Sequence, residues 1–212
     1  MRRWTFRRGL ILAILGLSFM ACTTTTIPVG PVVPGSTPTP CTVHCPPPAR
    51  APVTGHPFQN KRFTLRYYDP FTVVKHDDNS VVLGYVNQDT GNTFEVTFVG
   101  EDVPSGTSAQ QLLTAAEKNL DTSQLSGVQD LGPIYGAEVG YVAGAGDIIA
   151  GTEDLPNAPS SPVVLELMAS THGGTGILFL AASTINPNTR NPGALIRAAN
   201  SHYDLFVNSV AW

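Results

Sequence analysis

The chain is poor in charge, cysteine and long apolar runs. Of its 212 residues only 12 are Lys or Arg, against 16 Asp or Glu, and four of those cations lie within the first eight positions. Nothing basic clusters after Arg8. A surface without a cationic stripe cannot neutralise a phosphate backbone, which sets nucleic acid aside as a partner. Anionic lipid headgroups are poor partners for the same reason. There are three cysteines, too few for a disulfide-built scaffold. Gly-x-Ser-x-Gly, His-Glu-x-x-His, Walker and dinucleotide fingerprints are all missing. No apolar run reaches the roughly 20 residues that a membrane-crossing helix needs.

What is present begins with Arg2, Arg3, Arg7 and Arg8 followed by an apolar run from Leu10 to Ala21. A charged start and a short apolar centre make an export signal, removed from the working protein. Loss of residues 1–21 would leave 12 − 4 = 8 cations and all 16 acids, a formal charge of −8.

The run ends in Phe19-Met20-Ala21-Cys22. This resembles the lipobox of bacterial lipoproteins, with Phe19 where leucine is usual and Met20 where a smaller residue is usual. The resemblance implies cleavage before Cys22 and lipid, of the palmitate class, on its sulfur and amine. Several acyl chains, at about 0.8 kcal/mol per buried methylene, hold a protein on a membrane where one chain holds it only marginally. The reading without lipid is a plain secretory leader with a free thiol. Phe6-Arg7-Arg8-Gly9-Leu10-Ile11 also resembles a twin-arginine export signal, beside the general secretory alternative.

From Thr23 to His56, nine of 34 residues are proline, eight are threonine and Arg50 is the only charge. Proline fixes φ and removes donors, so residues 22–56 are expected to form an extended, lipidated linker of up to roughly 100 Å. Within it Cys41 and Cys45 bracket Thr-Val-His. An oxidising envelope favours a local disulfide between them; free thiols, or a metal held with His44 and distant His56, are the alternatives.

Residues 57–212 are enough for one domain. Phe63, Leu65 and Tyr67 alternate with polar neighbours, and Asp69-Pro70 ends that strand. Val81-Leu83-Tyr85 and Phe94-Val96-Phe98 flank turn chemistry in "NQDTGN", an antiparallel pair. "TSAQQLLTAAEKNL" carries a capping box and places Ala109, Leu112, Leu113, Ala116 and Leu120 on one helical face. "AEVGYVAG", "VVLELMAST" and "GILFLAAST" read as strands, with turns at "GTEDLPNAPSSP" and "HGGTG". Asn191-Pro192 opens a last helix whose stripe is Leu195, Ala199, His202, Phe206 and Val210. Strands, helix, strands, helix make an α+β domain with helices packed on an antiparallel sheet.

"FTLRYYDPFTVV", the hairpin, the central helix and the closing "DLFVNSVAW" together resemble the PsbP/Mog1-like superfamily, which includes LpqN-type lipoproteins. The positions carrying the likeness are Phe63, Pro70, Phe71 and Ser209, with Tyr68-Asp69-Pro70-Phe71 in place of the usual Tyr-Pro-x-x-Trp turn. The resemblance implies an α/β/α sandwich and a binding or assembly role with no shared catalytic centre.

Local chemistry is sparse. His76-Asp77-Asp78 offers too few oxygens for a hard cation and reads as a solvated turn. His202, with Asp204 nearby, faces the apolar stripe as a core histidine would. Gly144, Gly146 and Gly151 miss both phosphate-binding spacings and suit tight packing or a bulge. The expectation is therefore a non-enzymatic, cofactor-free lipoprotein, lipid-anchored on the outer side of a cell membrane, that binds an envelope protein or small ligand. A hydrolase assembled around His172 or His202, and a purely structural envelope component, are the rival readings.

Overall fold

The computed structural model describes residues 55–123, 125–154, 160–186, 188 and 203–212. Cys22, Cys41, Cys45 and the whole leader and linker up to residue 54 lie outside the described residues, as do Leu195, Ala199 and His202.

Among the described residues the elements follow one another as β1 (His56–Gln59), β2 (Thr64–Tyr67), β3 (Thr72–His76), β4 (Ser80–Val86), β5 (Thr93–Asp102), α1 (Ala109–Asn119), β6 (Leu125–Pro133), β7 (Glu138–Val139), β8 (Val142–Glu153), β9 (Ser161–His172), β10 (Thr175–Thr184) and α2 (residues 203–209). β1 starts at His56, one residue before the expected boundary. It pairs with β2 as a separate ribbon. The main sheet runs β3-β4-β5-β10-β9-β8-β6, antiparallel throughout, and β7 pairs with the start of β8.

The β4–β5 hairpin sets Val81 opposite Phe98, Leu83 opposite Val96 and Tyr85 opposite Phe94, so the alternation read in the sequence becomes cross-strand pairs on one face. β10 continues that face through Ile177, Phe179, Ala181 and Ser183. Over it lie α2 and the β1–β2 ribbon. Phe71 meets Phe206 edge-on at 5.0 Å, Tyr68 stacks on Phe206 at 5.9 Å, and Phe63 meets Phe98 at 6.2 Å. Buried Tyr203 shares a 2.7 Å hydrogen bond with Ser183. Ser209 Oγ accepts from Arg66 N at 2.9 Å and lies 2.7 Å from Phe206 O, tying the last helix to β2.

The opposite face carries α1. Its N-cap is the expected box: Ser108 Oγ accepts from Gln111 N at 3.2 Å, and Gln111 Oε1 accepts from Ser108 N at 2.8 Å. Leu112 and Leu113 are buried beneath it, with Leu112 against Gly176 of β10. Helices thus cover both faces of an antiparallel sheet, the α+β sandwich expected. Among the described residues no helix is long and apolar enough to cross a membrane.

Two strands depart from the sequence reading. "AEVGYVAG" is split between β7 and β8 by Gly140-Tyr141, both at positive φ (59° and 62°), and the turn closes Val139 onto Val142. Only glycine fits at 140, because a Cβ there would lie 2.4 Å from Val210 O. β8 then runs on through "AGAGDIIAGTE", so Gly151-Thr152-Glu153, expected in a turn, are strand.

Candidate functional site

The space under α1, between Ala116, Leu120, Leu167, Leu178 and Leu180, is about 10 Å³, room for a single water. What stands out is the rim of the sheet at β6. This strand is exposed from Ser126 to Leu131. Among the described residues it is paired on one side only, to β8. Val128 is 45% exposed, Leu131 56% and Tyr135, just beyond the strand, 84%.

β6 is an irregular edge for reasons written in its residues. Gly127 and Gly132 take positive φ, and the register to β8 shifts between Ser126 and Gln129 and again between Asp130 and Gly132. Bulges of this kind increase the local twist of an edge.

Carboxylates collect along this strand. Asp130 belongs to it and accepts from Gly132 N at 2.8 Å. Glu153 and Asp147 sit opposite Leu125 and Pro133 in the ladder. Hydrogen bonding to Ser126 of β6 and to Ser160 holds the Asp154 carboxyl below its usual range. The Glu117 carboxyl of α1 is held above its usual range, first by burial and then by the negative charges of Asp147 and Asp130. Its Oε1 is buried without a hydrogen-bond partner. Burial pushes Glu153 up to about 7. No lysine or arginine occurs between Lys118 and Arg190, so β6, β8, β9 and β10 carry neither.

The opposite end of the sheet differs. Arg62 grips Asp102 in a bidentate pair at 2.5 and 2.7 Å, and Lys61 pairs with Asp78. Charges there are satisfied within the chain.

The singled-out histidines do not assemble a reactive group among the described residues. His172 is exposed on the β9–β10 turn with its ring 5.9 Å from that of Trp212. The nearby Ser170 hydroxyl is engaged by the carbonyls of Val142 and Ala143 at 2.7 and 3.0 Å. His76 is at the end of β3, and Asp77 Oδ1 accepts from Asn79 N and Ser80 N, both at 2.8 Å, in a solvated turn. Asp204 is exposed on α2. No group of three potential metal-ligating side chains forms among the described residues. Gly144 and Gly146 lie inside β8 against β9, where a Cβ would stand 2.3 Å from Ala169 O and 2.9 Å from Leu167 O respectively. They serve strand packing.

Sequence reasoning missed Val128, Asp130, Leu131 and Tyr135, because Leu125–Pro133 carries neither strand alternation nor a helical stripe. The usable signal was the long stretch without a cation.

No family model matches the chain, and no curated protein matches it. Solved structures do. The Ran-binding protein Mog1p of Saccharomyces cerevisiae is 9% identical with a TM-score of 0.48, over 71% of this chain and 89% of that one. LpqN of Mycobacterium tuberculosis, a protein involved in cell envelope biogenesis, is 11% identical with a TM-score of 0.41, over 74% of this chain and 84% of that one. Both likenesses are of overall fold only.

Proposed function

We propose that this chain is a lipid-tethered binding module of the bacterial envelope: Cys22 anchors, residues 22–56 space, and the domain docks a partner at the β6 edge. The observation that carries the binding role is the one-sided, exposed β6 with Val128, Leu131 and Tyr135 turned to solvent. Several large apolar side chains exposed along one edge mark a contact surface more often than a lone exposed one does. The tether adds no contact, yet it raises the domain's effective concentration for neighbours on the same membrane.

Two measurements test the reading. Intact-mass analysis of membrane-extracted protein should show an acylated chain starting at Cys22, and Cys22→Ala should move the protein to the soluble fraction; equal membrane retention of the variant would sink the anchor. A photo-crosslinking residue at Tyr135 should give a discrete adduct in intact cells, while the same residue at Asp89, in the β4–β5 turn, should not. Identical smears from both positions would remove the docking role.

A further inference from the structure

We infer that the partner of the β6 edge is an extended protein segment bearing lysine or arginine between apolar side chains; this rests on the binding-module reading and names its partner class. The edge spans about 30 Å for its nine residues. Among the described residues its only strand partner is β8; off the ladder, Leu125 N donates to Thr122 O and Gly132 N to Asp130 Oδ1. An extended segment is the shape that follows such an edge.

Charge selects among extended segments. Asp130, Asp147, Glu117 and Asp154 all lie at β6, and Asp147 and Asp130 are each close enough to Glu117 for like-charge repulsion to act on it. Repulsion of this kind is relieved by an incoming cation. Residues 119–189 contain no lysine or arginine. A second copy of the domain would bring acid against acid. The apolar contribution comes from Val128 and Leu131, which a segment alternating cationic and apolar side chains would cover while its charges reach the carboxylates.

The test uses the full-length chain in detergent micelles and three fluorescein-labelled nonapeptides, alternating valine with lysine, glutamate or serine. Fluorescence anisotropy should show the lysine peptide binding and the glutamate peptide failing to bind. Affinity should fall roughly tenfold in the double variant Asp130→Asn, Asp147→Asn, at about threefold per exposed charge. Asparagine keeps the acceptors that Gly132 N and Ile148 N use, so both variants stay folded, which circular dichroism checks. Leu131→Ser should weaken binding as well, and 0.5 M salt should weaken it further. Lysine-peptide binding that ignores all of these variants overturns the site. Serine- or glutamate-peptide binding as tight as that of lysine overturns the charge argument and leaves the binding module standing. Self-association that buries β6 in sedimentation assigns the edge to a second copy and overturns the proposal. Failure of every peptide overturns it too, while crosslinking from Tyr135, which uses no peptide, decides the broader reading separately.

Discussion

Replacing Gly144 by alanine tests whether the glycine run of β8 is packing or chemistry. The new methyl would stand 2.3 Å from the Ala169 carbonyl oxygen and 2.9 Å from Ser170 Oγ. A carbon meets a carbonyl oxygen comfortably at about 3.3 Å, so β8 and β9 must separate by about 1 Å at the Gly144–Ser170 rung. Both strands are interior to the sheet and the obstructing atom is main chain, so relief by a side-chain rotation is closed. Overpacking of that size costs about 2–3 kcal/mol, which for a domain of this length lowers Tm by roughly 5–10 °C. Gly151→Ala is the internal control: its nearest atom, Ser126 O, is 3.3 Å away, and the gain from stiffening the unfolded chain offsets a small adjustment. Gly146→Ala, with Leu167 O and Met168 Cγ both at 2.9 Å, should fall between them. Thermal unfolding followed by circular dichroism reads the order directly. If Gly144→Ala melts within about 1 °C of the parent while titration calorimetry shows loss of inorganic phosphate binding, the packing account is wrong and these glycines bind an anion.

The capping box gives a smaller effect: Ser108→Ala removes the acceptor of Gln111 N and should destabilise by about 1 kcal/mol in chemical denaturation, with Gln111→Ala nearly non-additive because the two bonds form one unit. Burial on β5 pushes the Glu95 carboxyl from 4.5 up to about 7, and Glu153 shifts alike. The folded state therefore holds these protons more tightly than the unfolded chain. Their contribution is fully present below pH 4.5 and is lost as pH climbs through 7. Glu95→Gln should flatten the fall in stability between pH 5 and 8 and raise stability at pH 8 by about 1–2 kcal/mol after allowing for solvent screening; an unchanged pH profile would show that Glu95 is hydrated.

How much was legible follows from how local each signal is. The β4–β5 register could be read from alternation because both strands bury one face, and a slip by one residue would have turned Phe94, Val96 and Phe98 outward. The α1 cap was legible because Ser108 and Gln111 act within one turn. The aromatic turn and the closing helix meet across 135 or more residues, Phe71 on Phe206 and Tyr68 on Phe206, and no local signal in the sequence points to that pairing. β6 was invisible for the opposite reason. It buries almost nothing, so no hydrophobic period is imposed on it, and its glycines, Asp130 and Pro133 resemble loop material. An edge that contacts partners is shaped by what lies outside the chain, and its own sequence need not repeat. The acid field around it is likewise assembled from α1, β6 and β8, which no short window spans.

The central proposal joins a tether at Cys22 to a docking edge at β6, and one comparison tests both. A photo-crosslinker is placed at Tyr135 in the native chain and in the Cys22→Ala chain, and adduct yield is compared in intact cells at matched expression. A tethered binder gives the same discrete adduct in both, at least roughly tenfold weaker without the lipid because the effective concentration has fallen. An adduct of equal yield from the untethered chain would contradict the account.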